Sequence, residues 1–298
     1  MFGFKKKVRH MNAGNTTFYQ FDRDTGFWGI PDISHEIVYD VAPDTPVRAT
    51  HNSDGNRDTE FAFRPGEKNV IFLGGSHTWG LAVEQGARYT DLLGQEANCN
   101  ALNMAHPSLG LDQNALALFR KTPKFKPDIV VIEQYPWALH RVLSTSVNGF
   151  LRPRFSLTPA GECQISDVPY LGRFGIYRKF LGSYHEYKKE FREFKSGIDV
   201  SAGYDQAYDP MYLLWKTSFY DYMYNLAEKI VLQIQKYCEA QGIRILFVLG
   251  VDNQQYGNVA PTDLLDYDLP RARLAAILEK NGIAVSYTHL TLPTTERV

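Results

Sequence analysis

Asn-Val-Ile-Phe-Leu-Gly-Gly-Ser-His-Thr-Trp-Gly, residues 69–80, is the most informative stretch of this chain. It joins an apolar, β-branched run to a Gly74-Gly75 turn that ends on Ser76. Such a run predicts a buried parallel strand, and active sites of open α/β sheets lie where such strands end. Ser76 is therefore a candidate nucleophile, with N–H groups of the following helix placed to stabilise an oxyanion. A plain turn with a capping serine fits the same residues.

The sequence on both sides continues this alternation of strands and helices. Alternating β and α segments predict a parallel sheet with right-handed crossovers. The predicted strands are 69–74, 100–105, 128–133, 243–250 and the start of a fifth at 283–285. The predicted helices lie near 87–97, 111–121, 212–237 and 269–281, and Gly242 is the expected stop of the third.

Two segments depart from that alternation. Residues 1–65 are polar, aromatic and rich in turn residues, which predicts an irregular, partly β N-terminal segment before an α/β domain at 66–285. Residues 146–210 read as an insertion that carries a charged helix at 177–196. The aromatic residues of that helix recur at three- and four-residue spacing. This fits an aromatic stripe packed on the domain, and it also fits a membrane-surface helix.

Composition limits the function classes. The chain has 298 residues, 44% of them hydrophobic, and its 32 basic and 33 acidic side chains nearly cancel, so we expect no nucleic-acid partner. The three cysteines, Cys99, Cys163 and Cys238, lack the spacing of a zinc site or a disulfide framework. We predict no cofactor and no metal. No signal peptide or membrane span is visible, so localisation is unknown, with the cytoplasm as the default.

Together these residues resemble the SGNH (GDSL-like) hydrolase superfamily, over roughly residues 50–285. The Gly74-Gly75-Ser76 sequence aligns with the family's Gly-Asp-Ser block, with Gly75 where aspartate is usual. The resemblance implies a flavodoxin-like three-layer αβα sandwich with a parallel sheet of about five strands. It also implies that Ser76 is the nucleophile and that Gly110, which follows the second strand, gives an N–H to the oxyanion hole.

Two further blocks of the family match less well. Where an asparagine amide normally completes the oxyanion hole, this chain offers only Gln134, with His140 and Arg141 a few residues beyond. Upstream, residues 52–57 resemble an Asn-Ser-x-Gly-x-Arg segment that precedes the nucleophile strand in SGNH domains linked to bacterial glycan modification.

The family's Asp-x-x-His segment, in which histidine is the general base, has no counterpart here. His289 has no aspartate three residues before it. Residues 285–290, Val-Ser-Tyr-Thr-His-Leu, are what one reading frame encodes of a DNA sequence that resembles the mosaic end used in transposon-based library preparation, so we expect 286–298 to be a non-native tail. The parent protein is then an enzyme, whereas this truncated chain is expected to be nearly inactive.

The implied function is that of a serine hydrolase acting on ester bonds through Ser76. It would be an esterase or an O-acyl esterase, with a small-molecule or glycan acyl ester as its substrate. An O-acyltransferase of polysaccharide modification uses the same fold and nucleophile. A non-catalytic carbohydrate-binding or scaffold domain is the alternative from a different class, because the aspartate and the asparagine of two blocks are absent.

Overall fold

The structure is a computed structural model that describes the chain in several separate ranges of residues. The predicted helix at 177–196, His289 and residues 289–298 lie outside them. The described residues are 7–8, 18–39, 42–143, 146–147, 150–167, 218–250 and 268–288.

The N-terminal segment forms two small sheets and is more regular than the sequence predicts. One is a β2–β3 hairpin, and the other has the strand order β1-β4-β5. Strand β5 contains Pro46 but lies at an edge, where a missing N–H is tolerated. The strands are β1 (Lys7–Val8), β2 (Tyr19–Asp22), β3 (Gly26–Gly29), β4 (Ser34–Tyr39) and β5 (Ala42–Thr50).

The first half of the α/β domain follows the predicted alternation closely. Its boundaries differ from the sequence-based ones by at most two residues, and a short helix that begins at Ser76 is added. The elements are β6 (Asn69–Leu73), α1 (Ser76–Trp79), α2 (Tyr89–Glu96), β7 (Asn100–Asn103), α3 (Leu111–Arg120) and β8 (Ile129–Gln134).

A 3-10 turn at Pro136–Leu143 follows β8 and leads into the predicted insertion. The described part of the insertion consists of two antiparallel hairpins, and the second one packs against the helix that follows in the chain. The strands are β9 (Ser146–Val147), β10 (Phe150–Leu151), β11 (Arg154–Leu157) and β12 (Cys163–Ser166).

The second half of the domain completes the sheet. Helix α4 (Ser218–Gln241) ends before Gly242, whose φ of +67° confirms it as the stop. Strand β13 (Arg244–Leu249), helix α5 (Leu269–Lys280) and strand β14 (Ala284–Tyr287) follow. Strand β14 continues two residues past the predicted end at Val285, because Ser286 and Tyr287 pair with β13.

The central sheet has five parallel strands in the order β7-β6-β8-β13-β14. Numbered by their sequence order within this sheet, the strands run 2-1-3-4-5, which is the flavodoxin-like order and confirms the predicted fold class. Strands β6 and β8 are central and buried on both faces, as their uninterrupted apolar runs require. From β6 the chain moves to β7 on one side of the pair, and from β8 it moves to β13 on the other side, so the topological switch point lies at the carboxyl ends of β6 and β8, beside Ser76.

Helices cover both faces of this sheet and make it a three-layer sandwich. Ile71, Leu73, Val130 and Ile132 face the main core, which also contains apolar residues of α3, α4 and α5. The alternate side chains of the same strands form a second cluster on the other face, where the Phe72 ring contacts Tyr89 of α2. In the described part of the chain, no helix is long and apolar enough to cross a membrane.

Candidate active site

Ser76 lies on a turn, residues 74–80, that we call the Ser76 turn. A Cβ atom at Gly74 would lie 2.6 Å from both Glu133 Oε2 and Thr78 Oγ1, so the turn passes too close to β8 for any side chain there. Gly75 follows with φ of −96°, and α1 begins at Ser76, which is partly exposed. The sequence-predicted nucleophile therefore lies at the switch point of the sheet.

The start of α1 leaves backbone donors free beside the serine. The first hydrogen bonds within the turn run from Trp79 N to Gly75 O at 3.0 Å and from Gly80 N to Ser76 O at 3.1 Å. Within the described residues, the Ser76 N–H therefore has no backbone acceptor, as expected at a helix start. A donor in this position can bind an oxyanion that develops on a substrate held by Ser76.

A buried carboxylate from β8 holds the beginning of the Ser76 turn. Glu133 is 5% exposed, and its Oε2 accepts a hydrogen bond from Gly75 N at 3.0 Å and one from Thr78 Oγ1 at 2.8 Å. Its Oε1 has no hydrogen-bond partner among the described residues and lies 3.8 Å from His77 Nδ1. The two bonded groups lie on either side of Ser76 in sequence.

A buried arginine holds the end of the same turn. The Arg57 guanidinium donates to Trp79 O at 3.2 Å and to Val83 O at 2.7 Å, and it also bonds Gly80 O. It lies 4.4 Å from the centre of the Trp79 ring. Burial, together with the nearby Arg88 charge, lowers the pKa of Arg57 to about 10. Arg57 belongs to the segment at 52–57 that the sequence singled out, and this clamp is its structural role.

Two more side chains complete the support of the Ser76 turn. Asn103, at the end of β7, donates from Nδ2 to Thr78 O at 2.6 Å and to Thr90 Oγ1 at 3.1 Å. Arg88 is buried and pairs with Asp58 at 3.2 Å. Because Asp58 Oδ2 accepts the Asn103 N–H at 3.2 Å, this network links the turn to β7.

Gly110 is the N-cap of α3, and it closes the loop at residues 103–110 that we call the Gly110 turn. Its N–H donates to Gln113 Oε1 at 3.3 Å, so a role as oxyanion donor requires a substrate to replace that long bond. A Cβ atom here would lie 2.9 Å from Arg141 Cβ. Ser108, in the same turn, has φ of +71°, a strained conformation for a residue other than glycine.

A second buried arginine holds the Gly110 turn. Both Arg152 and Asp112 have side chains that are 0% exposed, and they form an ion pair. Arg152 also donates to Gln113 Oε1 at 2.8 Å and to Arg141 O at 2.6 Å. No sequence pattern indicates this residue, because it comes from the insertion and reaches α3 only through the fold.

Gln134 and the residues after it occupy the neighbouring end of β8. Gln134 is 3% exposed, and its Nε2 donates to Tyr135 O at 2.7 Å. Its proposed role as oxyanion donor stays a prediction. Arg141 lies between β8 and the Gly110 turn, donating to Leu109 O at 3.2 Å, and burial lowers its pKa to about 10. The His77 ring stacks on Tyr135 at 4.2 Å.

No histidine among the described residues is hydrogen-bonded to Ser76. His51 and His106 are buried between the N-terminal segment and the domain, and the centres of their rings are 6.4 Å apart. Burial lowers the pKa of His51 to about 4 and that of His106 well below its usual value. Both are therefore neutral parts of the interior near pH 7.

Comparisons with known proteins find remote similarities. No family model matches the chain, and no curated protein matches it. A proposed acylhydrolase from Bacteroides fragilis NCTC 9343 is 12% identical, with 76% of this chain and 71% of that chain covered and a TM-score of 0.35. TesA is 11% identical, with 73% and 77% covered and a TM-score of 0.38.

A GDSL-like lipase from Bacteroides thetaiotaomicron VPI-5482 is also 11% identical, with 77% of this chain and 72% of that chain covered and a TM-score of 0.36. At identities and TM-scores this low, the chemistry of the site rests on the chain's own residues. Its strand order and the Gly74-Gly75-Ser76 turn at the switch point resemble the SGNH (GDSL-like) hydrolases.

Proposed function

We propose that the protein is a serine hydrolase acting on ester bonds, with Ser76 as its nucleophile. The observation that carries this proposal is the position of Ser76. It is a partly exposed serine at the first residue of α1, at the switch point between β6 and β8, and its own N–H has no acceptor among the residues that the structure describes. Ligands of open α/β sheets bind at this point.

In the proposed reaction, Ser76 Oγ attacks the acyl carbonyl, and its proton passes to a histidine outside the described residues. The Ser76 N–H binds the oxyanion, and the Gly110 N–H joins it when a substrate displaces the Gln113 side chain. The alcohol then leaves with a proton, and water releases the acyl group from Ser76. Gln134 is proposed as a third donor, once its side chain exchanges the bond to Tyr135 O.

The substrate is proposed to be an acyl ester of a small molecule or of a glycan. The buried supports of the Ser76 turn cited above are Arg57, from the segment at 52–57, and Glu133 of β8, and we propose that the outer side of the turn receives the substrate. His77 is 55% exposed there and stacks on Tyr135, which gives an aromatic surface next to the nucleophile. Aromatic surfaces of this kind accept either an acyl chain or a sugar ring.

The test measures hydrolysis of p-nitrophenyl acetate, butyrate and octanoate, and of a peracetylated sugar. It uses the 298-residue chain and a chain in which the genomic codons after Val285 replace 286–298. We expect turnover by the extended chain that Ser76→Ala abolishes and Ser34→Ala, at an exposed serine, leaves unchanged. Turnover that survives Ser76→Ala would contradict the proposal. Transfer of acetyl to an added sugar in place of water would identify an acyltransferase.

A further inference from the structure

We infer that Glu133 is a positioning residue for Ser76, supplying from β8 the carboxylate that fixes the nucleophile turn. The inference rests on the proposed function, because it assigns Glu133 to the same site. Glu133 accepts hydrogen bonds from Gly75 N and Thr78 Oγ1, at 3.0 and 2.8 Å, and these two residues bracket Ser76. Hydrogen bonds to a carboxylate are about twice as strong as neutral ones, so this contact restrains the backbone on both sides of the serine.

Helix α1 needs such a restraint because it has no side-chain cap of its own. It is four residues long, and its N-cap is Gly75, which has no side chain to accept a hydrogen bond from the first N–H groups of the helix. A single helical turn is unstable alone, and its free N–H groups favour a nearby anion. The carboxylate of Glu133 is the buried anion that fills this place, although it belongs to a different element.

The surroundings of Glu133 also indicate more than a structural cap. Its Oε1 is buried and has no hydrogen-bond partner among the described residues. A buried carboxylate with an unused oxygen is unfavourable for stability by itself. Two cationic or ionisable groups face it: His77 Nδ1 lies 3.8 Å from Oε1, and the Glu133 charge acts favourably on Arg141. The carboxylate is thus kept where it orients the serine and the groups next to it.

Position 75 offers a way to move the carboxylate. A Cβ atom on Gly75 would have Glu133 Oε2, at 4.0 Å, as its nearest neighbour, and φ of −96° suits any L-residue. An aspartate at this N-cap is placed to accept the N–H or the hydroxyl of Thr78. Gly75→Asp in the presence of Glu133 brings two carboxylates together, whereas Gly75→Asp with Glu133→Gln relocates a single charge.

The experiment compares wild type, Glu133→Gln, Gly75→Asp and the double variant, all in the extended chain, by the rate of covalent labelling of Ser76 with a fluorophosphonate. We expect Glu133→Gln to lower kinact by about 10- to 100-fold with KI unchanged, because a small displacement of a nucleophile has effects of that size. Gly75→Asp alone lowers kinact as well. The double variant regains a kinact within about threefold of wild type, a non-additivity that shows the two positions share one task.

Equal kinact for wild type and Glu133→Gln, or a double variant no faster than Glu133→Gln, would overturn the inference while leaving the nucleophile assignment intact. If wild type in the extended chain is not labelled at Ser76, the proposed function fails. The urea midpoints of the same four chains then decide the inference. If the double variant loses less of its urea midpoint than the two single variants lose together, the result supports a shared carboxylate position. Additive losses of the midpoint overturn the inference.

Discussion

The Ser76 turn and the Gly110 turn follow adjacent parallel strands, and each is held by one buried arginine, but the two arginines meet different partners. Arg57 binds backbone carbonyls at the end of the Ser76 turn. Arg152 binds the buried carboxylate of Asp112 at the start of α3, besides neutral oxygens. The end of the first turn is held by a cation on neutral dipoles, whereas an ion pair out of contact with water lies at the start of α3, directly after the second turn.

The difference predicts how much stability the protein loses when the arginine beside each turn is replaced. Removing Arg57 leaves several backbone carbonyls without their donor, but these carbonyls are neutral groups. Removing Arg152 leaves an ionised Asp112 without its partner in a site with no access to water, which is far less favourable. The second turn is therefore the more fragile one, although the first carries the nucleophile.

The largest expected effect comes from Arg152→Met. We expect it to lower the free energy of unfolding by about 4 kcal/mol, because it strands the Asp112 charge. Asp112→Asn added to Arg152→Met removes that charge and regains about half of the loss. Urea denaturation measures both, with Arg48→Met, at an arginine whose side chain is 57% exposed, as the control within about 0.5 kcal/mol of wild type. An Arg152→Met variant as stable as this control would show that the pair contributes nothing.

Acid is expected to act on the interface between the N-terminal segment and the Gly110 turn, where His51 faces His106. Burial lowers the pKa of His51 to about 4, whereas the unfolded value is near 6.5. The unfolded chain therefore binds a proton that the folded chain does not, so stability is full above about pH 6.5 and falls as the pH drops toward 4. The loss is about 3 kcal/mol.

Urea unfolding at pH 7.5, 5.5 and 4 measures that loss, and His106 adds to it because burial lowers its pKa too. His51→Gln removes one titrating group, so its stability is expected to depend less on pH than that of wild type. Identical pH dependence in the two chains would exclude His51 as the source.

Arg57→Met is expected to lower the free energy of unfolding by about 2 kcal/mol, since several carbonyls lose a donor but no charge is stranded. Arg57→Lys is expected to lower the free energy of unfolding by about half as much, because the lysine ammonium keeps the charge but forms less directional hydrogen bonds than the planar guanidinium. The measurement is urea denaturation beside Arg152→Met. If Arg57→Met proves the more damaging of the two, the contrast between the turns is wrong.

The smallest effects come from the glycines. Gly110→Ala places a Cβ 2.9 Å from both Arg141 Cβ and Asp112 Oδ1, so we expect a loss of about 1–2 kcal/mol from crowding. Gly75→Ala meets nothing closer than 4.0 Å and is expected to stay within about 0.5 kcal/mol of wild type. Thermal melts of the two variants compare them directly, and equal melting temperatures would contradict the difference in space.

The strands and helices were largely predictable because their signals are local. The apolar run at 69–73, the stop at Gly242 and the start of β14 are patterns of neighbouring residues, and they place the strands and the Ser76 turn in the chain. The order of the strands in the sheet came from the resemblance to the SGNH hydrolases, since no local pattern encodes it. Glu133 is visible in sequence only as a charge that ends an apolar strand. Its role depends on the alignment of β8 with β6, which no local pattern encodes.

The supports of the two turns were not predictable for the same reason. Arg152 reaches Asp112 across 40 residues of chain, and Arg57 reaches Trp79 across 22. The regularity of the N-terminal segment was also missed, because β4 and β5 pair through alternating polar residues and prolines that read as turns. Contacts of this kind arise from the tertiary arrangement, whereas periodicity reports only one element at a time.

The most direct test of the central claim is to react the extended chain of the hydrolysis test with a fluorophosphonate and to locate the adduct by peptide mass spectrometry. A single adduct on Ser76, absent from Ser76→Ala and retained in Ser34→Ala, is the predicted result. An unmodified Ser76 after exhaustive reaction of that chain, or an adduct confined to another serine, would contradict the assignment of Ser76 as the nucleophile.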